Sequence, residues 1–129
     1  MSLCSRVLRG VALVAVVLVP AVAYADVDGT KGTLLSVTIN DTAADGYTAE
    51  RGHVVINEGT ATRKYQWGGT VCSGKNLSDA NIALLINGLS ERDRLEIVPS
   101  YKTGAGQARC LVGFRIQLIQ PAPARSPAP

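Results

Sequence analysis

The chain has 129 residues, with thirteen basic and ten acidic side chains for a formal charge of +3. Two of the basic residues, Arg6 and Arg9, sit in an N-terminal leader, which leaves eleven against ten and excludes the basic excess of a nucleic-acid binder. One histidine, and three cysteines without metal-ligand spacing, point to no metal and no cofactor.

The leader comes first. Arg6 and Arg9 precede an unbroken apolar run over 11–19, then Pro20 and the small-x-small triplet Ala23-Tyr24-Ala25. Residues 1–25 therefore read as a cleaved signal peptide, with Cys4 leaving with it. The run falls short of the ~20 residues of a membrane helix. An uncleaved anchor is the alternative. The expected product is secreted or periplasmic, with no stable membrane span after cleavage. Residues 26–120 form a single β-rich domain, and 121–129 (PAPARSPAP) a disordered Pro/Ala tail.

Within the domain, 26–32 (DVDGTKG) is polar and turn-prone. Asp26, Asp28 and Gly29 faintly suggest a calcium loop, but the remaining ligands and closing Glu are missing. Leu35, Val37 and Ile39 alternate with Ser36, Thr38 and Asn40, the pattern of a half-buried strand. A second strand runs over about 51–58, with Val54 and Ile56 inward. His53 has no evident local carboxylate or nucleophile partner, so no triad is expected. A third strand covers about 62–71. It sets Tyr65, Trp67, Gly69 and Val71 on one face, and Lys64, Gln66 and Gly68 on the other. Gly68-Gly69 marks a bulge or sharp bend. Trp67 is either the main core aromatic or a platform for a ligand.

Next comes the one helix. Ser78 is its N-cap, Asp79 sits in its first turn, and Leu77 and Ile82 form a hydrophobic staple. Ile82, Leu85, Ile86 and Leu89 give one apolar face. Gly88 reads as a left-handed C′ residue, with Leu89 folding back on Leu84. The charged stretch 91–94 is a solvated connection. A strand with Pro99 at an edge, end or bulge follows, then the 103–106 (TGAG) turn. The last strand sets Cys110, Val112, Phe114, Ile116 and Leu118 against Arg109, Leu111, Gly113, Arg115 and Gln117. Asn40-Asp41-Thr42 and Asn76-Leu77-Ser78 match the glycosylation triplet, which matters only in a eukaryotic secretory host.

Cys72 and Cys110 are expected to pair, closing a loop of about 39 residues and contributing roughly 4 kcal/mol. The alternative is two buried free thiols. The protein is expected to be mainly β with one helix, as a five-stranded OB-fold-like barrel of order β-β-β-α-β-β. The rival is an open antiparallel sheet with one packed helix. In the barrel the third and fifth strands run parallel, so the two cysteines meet only if those strands overlap briefly.

Over roughly 34–120, the export signal, the element order and the cysteine positions resemble those of the small secreted OB-fold B subunits of bacterial toxins. The resemblance implies a ring of identical subunits, a homo-oligomer, and it transfers no sugar-binding residue. The expected function is that of a disulfide-stapled, non-enzymatic binding module for an oligosaccharide or a protein partner. Candidate contacts are Arg63, Lys64, Gln66, Trp67, Tyr101 and Lys102. The alternatives are a structural, interaction or inhibitor protein of the cell envelope, and an enzyme whose scattered carboxylates the fold would have to assemble.

Overall fold

The structure is a computed structural model that describes residues 25–128, so the expected signal peptide, apart from Ala25, lies outside the described residues. The chain is mainly β with one helix. Its strands are β1 (Val27–Asp28), β2 (Thr33–Ile39), β3 (Gly52–Asn57), β4 (Thr62–Trp67), β5 (Leu95–Thr103) and β6 (Arg109–Leu118). The helix α1 (Asp79–Ser90) lies between β4 and β5. Among the described residues, no helix is long and apolar enough to cross a membrane.

The strands form one six-stranded sheet in the order β1-β5-β6-β4-β3-β2. This departs from both expected architectures. The sheet is open, not a closed five-stranded barrel, because β2 reaches β5 through one bridge. Gly32 N–H donates to Ile97 O at 2.9 Å and Ile97 N–H donates to Gly32 O at 2.8 Å. The sheet is also mixed, not antiparallel, since β4 and β6 run parallel. The sixth strand is β1, formed where a polar turn was read. Its Asp28 pairs with Ser100, whose hydroxyl donates to the Asp28 carboxylate at 2.7 Å. Pro99 sits on β5 opposite the chain passing from β1 to β2. Its carbonyl accepts from Gly29 N–H at 2.7 Å. Residues two apart in a strand point their N–H to the same side, so its missing donor faces this irregular crossing as Ile97 N–H does.

Two bulges shift the alternation expected from the sequence. Leu34 pairs with Ile56 and Ser36 with Val55, so Leu35 is an extra residue. Leu34 is therefore the buried residue of β2 and Leu35 is exposed. In β6, Tyr101 pairs with Leu111 and Ser100 with Gly113, which makes Val112 extra. Leu111 is thus fully buried, although alternation alone placed it outside. Phe114 and Ile116 still pack on the core, while Leu118 is exposed.

α1 begins as expected. The Ser78 hydroxyl accepts from Asn81 N–H at 3.2 Å, and Leu77 and Ile82 both join the core. Its end and its face differ. Gly88 lies inside the helix, which runs to Ser90, and Glu91 N–H closes on Gly88 O at 3.2 Å. Gly88 is buried because it lies against Ile116; a Cβ there would stand 3.2 Å from the isoleucine's Cδ1. The buried line is Ile82, Leu85, Gly88 and Leu89, whereas Ile86 and Leu84 are about half exposed. The contact of Leu89 back to Leu84 is therefore not the one that ends the helix.

The corner between β4 and α1 joins the two halves. β4 stops at Trp67, short of the expected 71, because Gly68 and Gly69 both take φ +66°, a left-handed conformation that disfavours any side chain. The chain reverses there, and Cys72 N–H donates to Gly68 O at 3.2 Å. β4 and β6 share only the Gln66–Cys110 pair. That short overlap is what lets Cys72 reach Cys110 and form the disulfide. Beneath the corner, Trp67 is 1 % exposed and is the largest core side chain. Gly52 faces it across the sheet, where a Cβ would collide with the indole. Residues 121–128 carry no regular secondary structure.

Reduction of the Cys72–Cys110 disulfide should lower the unfolding free energy by about 2–4 kcal/mol. Urea titrations with and without a reductant measure this directly, as a lower midpoint.

Candidate functional site

Alternation along β4 gives Lys64 and Gln66 to the face opposite the buried Tyr65 and Trp67. The parallel neighbour brings the turn before β6 beside them. Together Thr62, Arg63, Lys64, Gln66, Gln107, Ala108 and Arg109 line an open, polar depression of about 370 Å³. The turn is a short 3₁₀ segment, Ala105–Gln107, in which Gly106 and Gln107 both take positive φ. It is tied to the disulfide corner, since Ala105 N–H donates to Val71 O at 2.9 Å.

One carboxylate organises the β3 side of this face. Glu50, at the entry to β3, accepts from His53 Nδ1 at 2.9 Å, from Lys64 Nζ at 3.0–3.1 Å and from Gln66 Nε2. Burial pushes its carboxyl up, but the hydrogen bonds from Gln66, Lys64 and His53, with the Lys64 charge, outweigh that and hold it below the usual value. His53 thus has the carboxylate partner that the sequence did not reveal. Among the described residues it bonds to no hydroxyl or thiol, so a nucleophilic triad is not assembled.

A second carboxylate organises the other flank. Glu58 accepts from the Tyr65 hydroxyl at 2.6 Å and lies 3.5 Å from Arg63 Nε. Burial, then this bond to Glu58, push the Tyr65 phenol above its ordinary value, so it remains a donor. Arg63 and Arg109 line both the large depression and a smaller one of about 140 Å³ that also includes Asp28, Glu58, Tyr65 and Tyr101. The Arg109 guanidinium stands 5.5 Å from the Tyr101 ring and 5.9 Å from the Tyr65 ring. Among the described residues, Arg109 makes no ion pair within 4.0 Å, whereas Lys64 and Arg63 are each neutralised by a glutamate.

The six candidate residues therefore separate. Arg63, Lys64 and Gln66 line one depression, Lys64 and Gln66 from the face opposite Tyr65 and Arg63 from the Tyr65 side. Trp67 is buried in the core and offers no face to a ligand. Tyr101 packs edge-on against Tyr65 at 5.6 Å, at the inner flank. Lys102 pairs with Asp26 at 3.2 Å and does not line the large depression. Glu50, Gln107 and Arg109 complete the face and were not among the candidates. Only the β4–β6 neighbourhood brings Gln107 and Arg109 to it, and nothing local in the sequence announces that pairing.

No family model, curated protein or solved structure matches this chain.

The Glu50 network carries a pH dependence. A carboxyl held low in the folded state favours folding above its unfolded value, near 4.5, and loses that contribution as pH falls through the folded value. The stability gap between wild type and Glu50→Gln should be full above about pH 5 and shrink steadily below it. Denaturant midpoints measured between pH 3 and pH 7 read that gap.

Proposed function

We propose that the protein is an exported, non-enzymatic binding module that takes an oligosaccharide or a partner protein on the face formed by β4 and the turn before β6. The observation that carries this reading is the convergence of polar groups on one depression, Thr62, Arg63, Lys64 and Gln66 from β4 with Gln107 and Arg109 from the turn before β6. A few convergent polar groups on a rigid frame suit recognition of hydroxyls and amides. Binding is favoured over catalysis because the site's charges are spent on each other. Glu50 holds Lys64 and His53, Glu58 holds Arg63 and Tyr65, and only Arg109 is left for a ligand.

The element order and the parallel β4–β6 pair support a finer description of this open sheet as OB-like in strand order. In that order the β4 face and the turn at 104–108 lie where ligands are commonly held. The disulfide fits an oxidising compartment, secreted or periplasmic. A second reading, an interaction protein of the cell envelope that assembles with copies of itself or another protein, draws on the exposed Leu84 and Ile86 of α1.

The test is a glycan array run beside a pull-down, with wild type and Arg109→Gln. Removing Arg109 orphans no carboxylate, so the fold should be kept while binding weakens by about tenfold or more. A ligand captured equally by both proteins would move the site away from this face.

A further inference from the structure

A second polar cleft lies on the far side of the disulfide corner and shares no residue with the face across β4. Tyr47, Thr48, Arg51, Gly69, Thr70, Ser73, Gly74 and Asn76 line it, around a volume of about 370 Å³. We propose that this cleft binds an acidic saccharide, with Arg51 holding the ligand's oxyanion and the hydroxyls and amide around it holding the sugar hydroxyls.

The cleft is built by two loops that backbone hydrogen bonds clasp together. Thr70 N–H donates to Thr48 O at 2.9 Å and Val71 N–H donates to Ala49 O at 3.0 Å. Arg51 N–H in turn donates to Trp67 O at 2.9 Å, which anchors that backbone to the end of β4. Gly68 is what lets the two walls approach: a Cβ there would collide with the Arg51 stem and the Asn76 amide. The disulfide at Cys72 closes the second loop from behind.

The arginine is pre-positioned. Its guanidinium lies 4.0 Å from the Tyr47 ring centroid and also donates to the Tyr47 hydroxyl. Stacking of this kind fixes a planar fork at low additional entropy cost, and that fork matches carboxylate or sulfate oxygens. No carboxylate lines the cleft, and among the described residues Arg51 makes no ion pair within 4.0 Å. Its sequence neighbour Glu50 is committed elsewhere, to His53, Lys64 and Gln66. Among the described residues, no carboxylate therefore pairs with this charge.

The rest of the lining selects the scaffold that carries the charge. Thr48, Thr70 and Ser73 can supply hydroxyls, Asn76 an amide, and Gly69 and Gly74 leave backbone accessible. Apart from the Tyr47 ring, on which the Arg51 guanidinium stacks, and the Arg51 stem, no large apolar side chain lines the cleft. A hydroxylated ring bearing one carboxylate or one sulfate satisfies both halves of the site.

The experiment is an amide NMR titration of the protein recovered from expression of the whole chain. The probes are glucuronate, glucose 6-sulfate, glucose and a short oligoglutamate peptide. The expected result is saturable shifts of the amides at 47–51 and 69–76 with one or both acidic sugars. Glucose should bind at least about tenfold more weakly. Whichever acidic sugar binds tighter identifies the oxyanion. Arg51→Gln should weaken that binding by a similar factor, with the near-ultraviolet signature of Trp67 unchanged. Equal shifts with glucose, no shifts with either acidic sugar, or binding unaltered by Arg51→Gln would each overturn the proposal. So would a response to oligoglutamate alone, which would make the cleft a peptide site. Shifts confined to 62–66 and 107–109 would also overturn it, while leaving the face across β4 intact.

Discussion

The two polar depressions of this protein are placed by the corner at which β4 gives way to α1. Two consecutive left-handed glycines, Gly68 and Gly69, turn the chain back on itself. The Cys72–Cys110 disulfide then fixes the turned chain to the start of β6. Without the reversal, Cys72 would continue along β4, away from Cys110, because the two strands run parallel. The same corner places one polar depression between β4 and the turn at Ala105–Gln107, and a second between the loops at 47–51 and 69–76. The covalent staple sits where β4 and β6 share a single residue pair of the ladder.

Around that corner, charge is distributed by a simple rule. Two glutamates each collect several donors, one of them a cation: Glu50 gathers His53, Lys64 and Gln66, and Glu58 gathers Tyr65 and Arg63. Such networks hold side chains in one arrangement because each member left unpaired would lose its desolvation compensation. Two arginines that line the polar depressions make no ion pair among the described residues. Arg109 overhangs the Tyr65 and Tyr101 rings, and Arg51 stacks on Tyr47. Both are steadied by aromatic faces instead of carboxylates, so their hydrogen-bonding edges remain available to a ligand. That contrast is why these two residues, and not the more numerous paired cations, carry the functional reading.

Much of this was legible from the sequence where the signal is local. The Ser78 cap, the inward Val54 and Ile56, the hairpin of β5 and β6, and the grouping of Lys64 with Gln66 each follow from neighbours a few residues apart. Signals that depend on an inserted residue were not legible. A period-two pattern cannot show that Leu35 and Val112 are extra, so it put Leu35 on the inner face and Leu111 on the outer one. Gly88 read as a helix end because glycine usually is one; its role is to let α1 sit against Ile116. Arg109 was missed for a third reason, since only the pairing of β4 with β6 brings it to Tyr65, and Glu50 because its donors gather only once β3 and β4 pair as a hairpin. Arg51 was hidden because its importance lies in the company of Tyr47 and the reversed loop, which only the corner assembles.

The most direct test of the corner's role is amide hydrogen exchange on the oxidised and the reduced protein, compared residue by residue. The account predicts that reduction releases the amides of Thr70, Val71, Cys72 and Ala105 first and most, since their bonds clasp the loops to the corner. The amides of Val54 and Ile56 in β3 should keep the larger part of their protection. Unchanged exchange at the corner, or a uniform loss across the whole sheet, would contradict it.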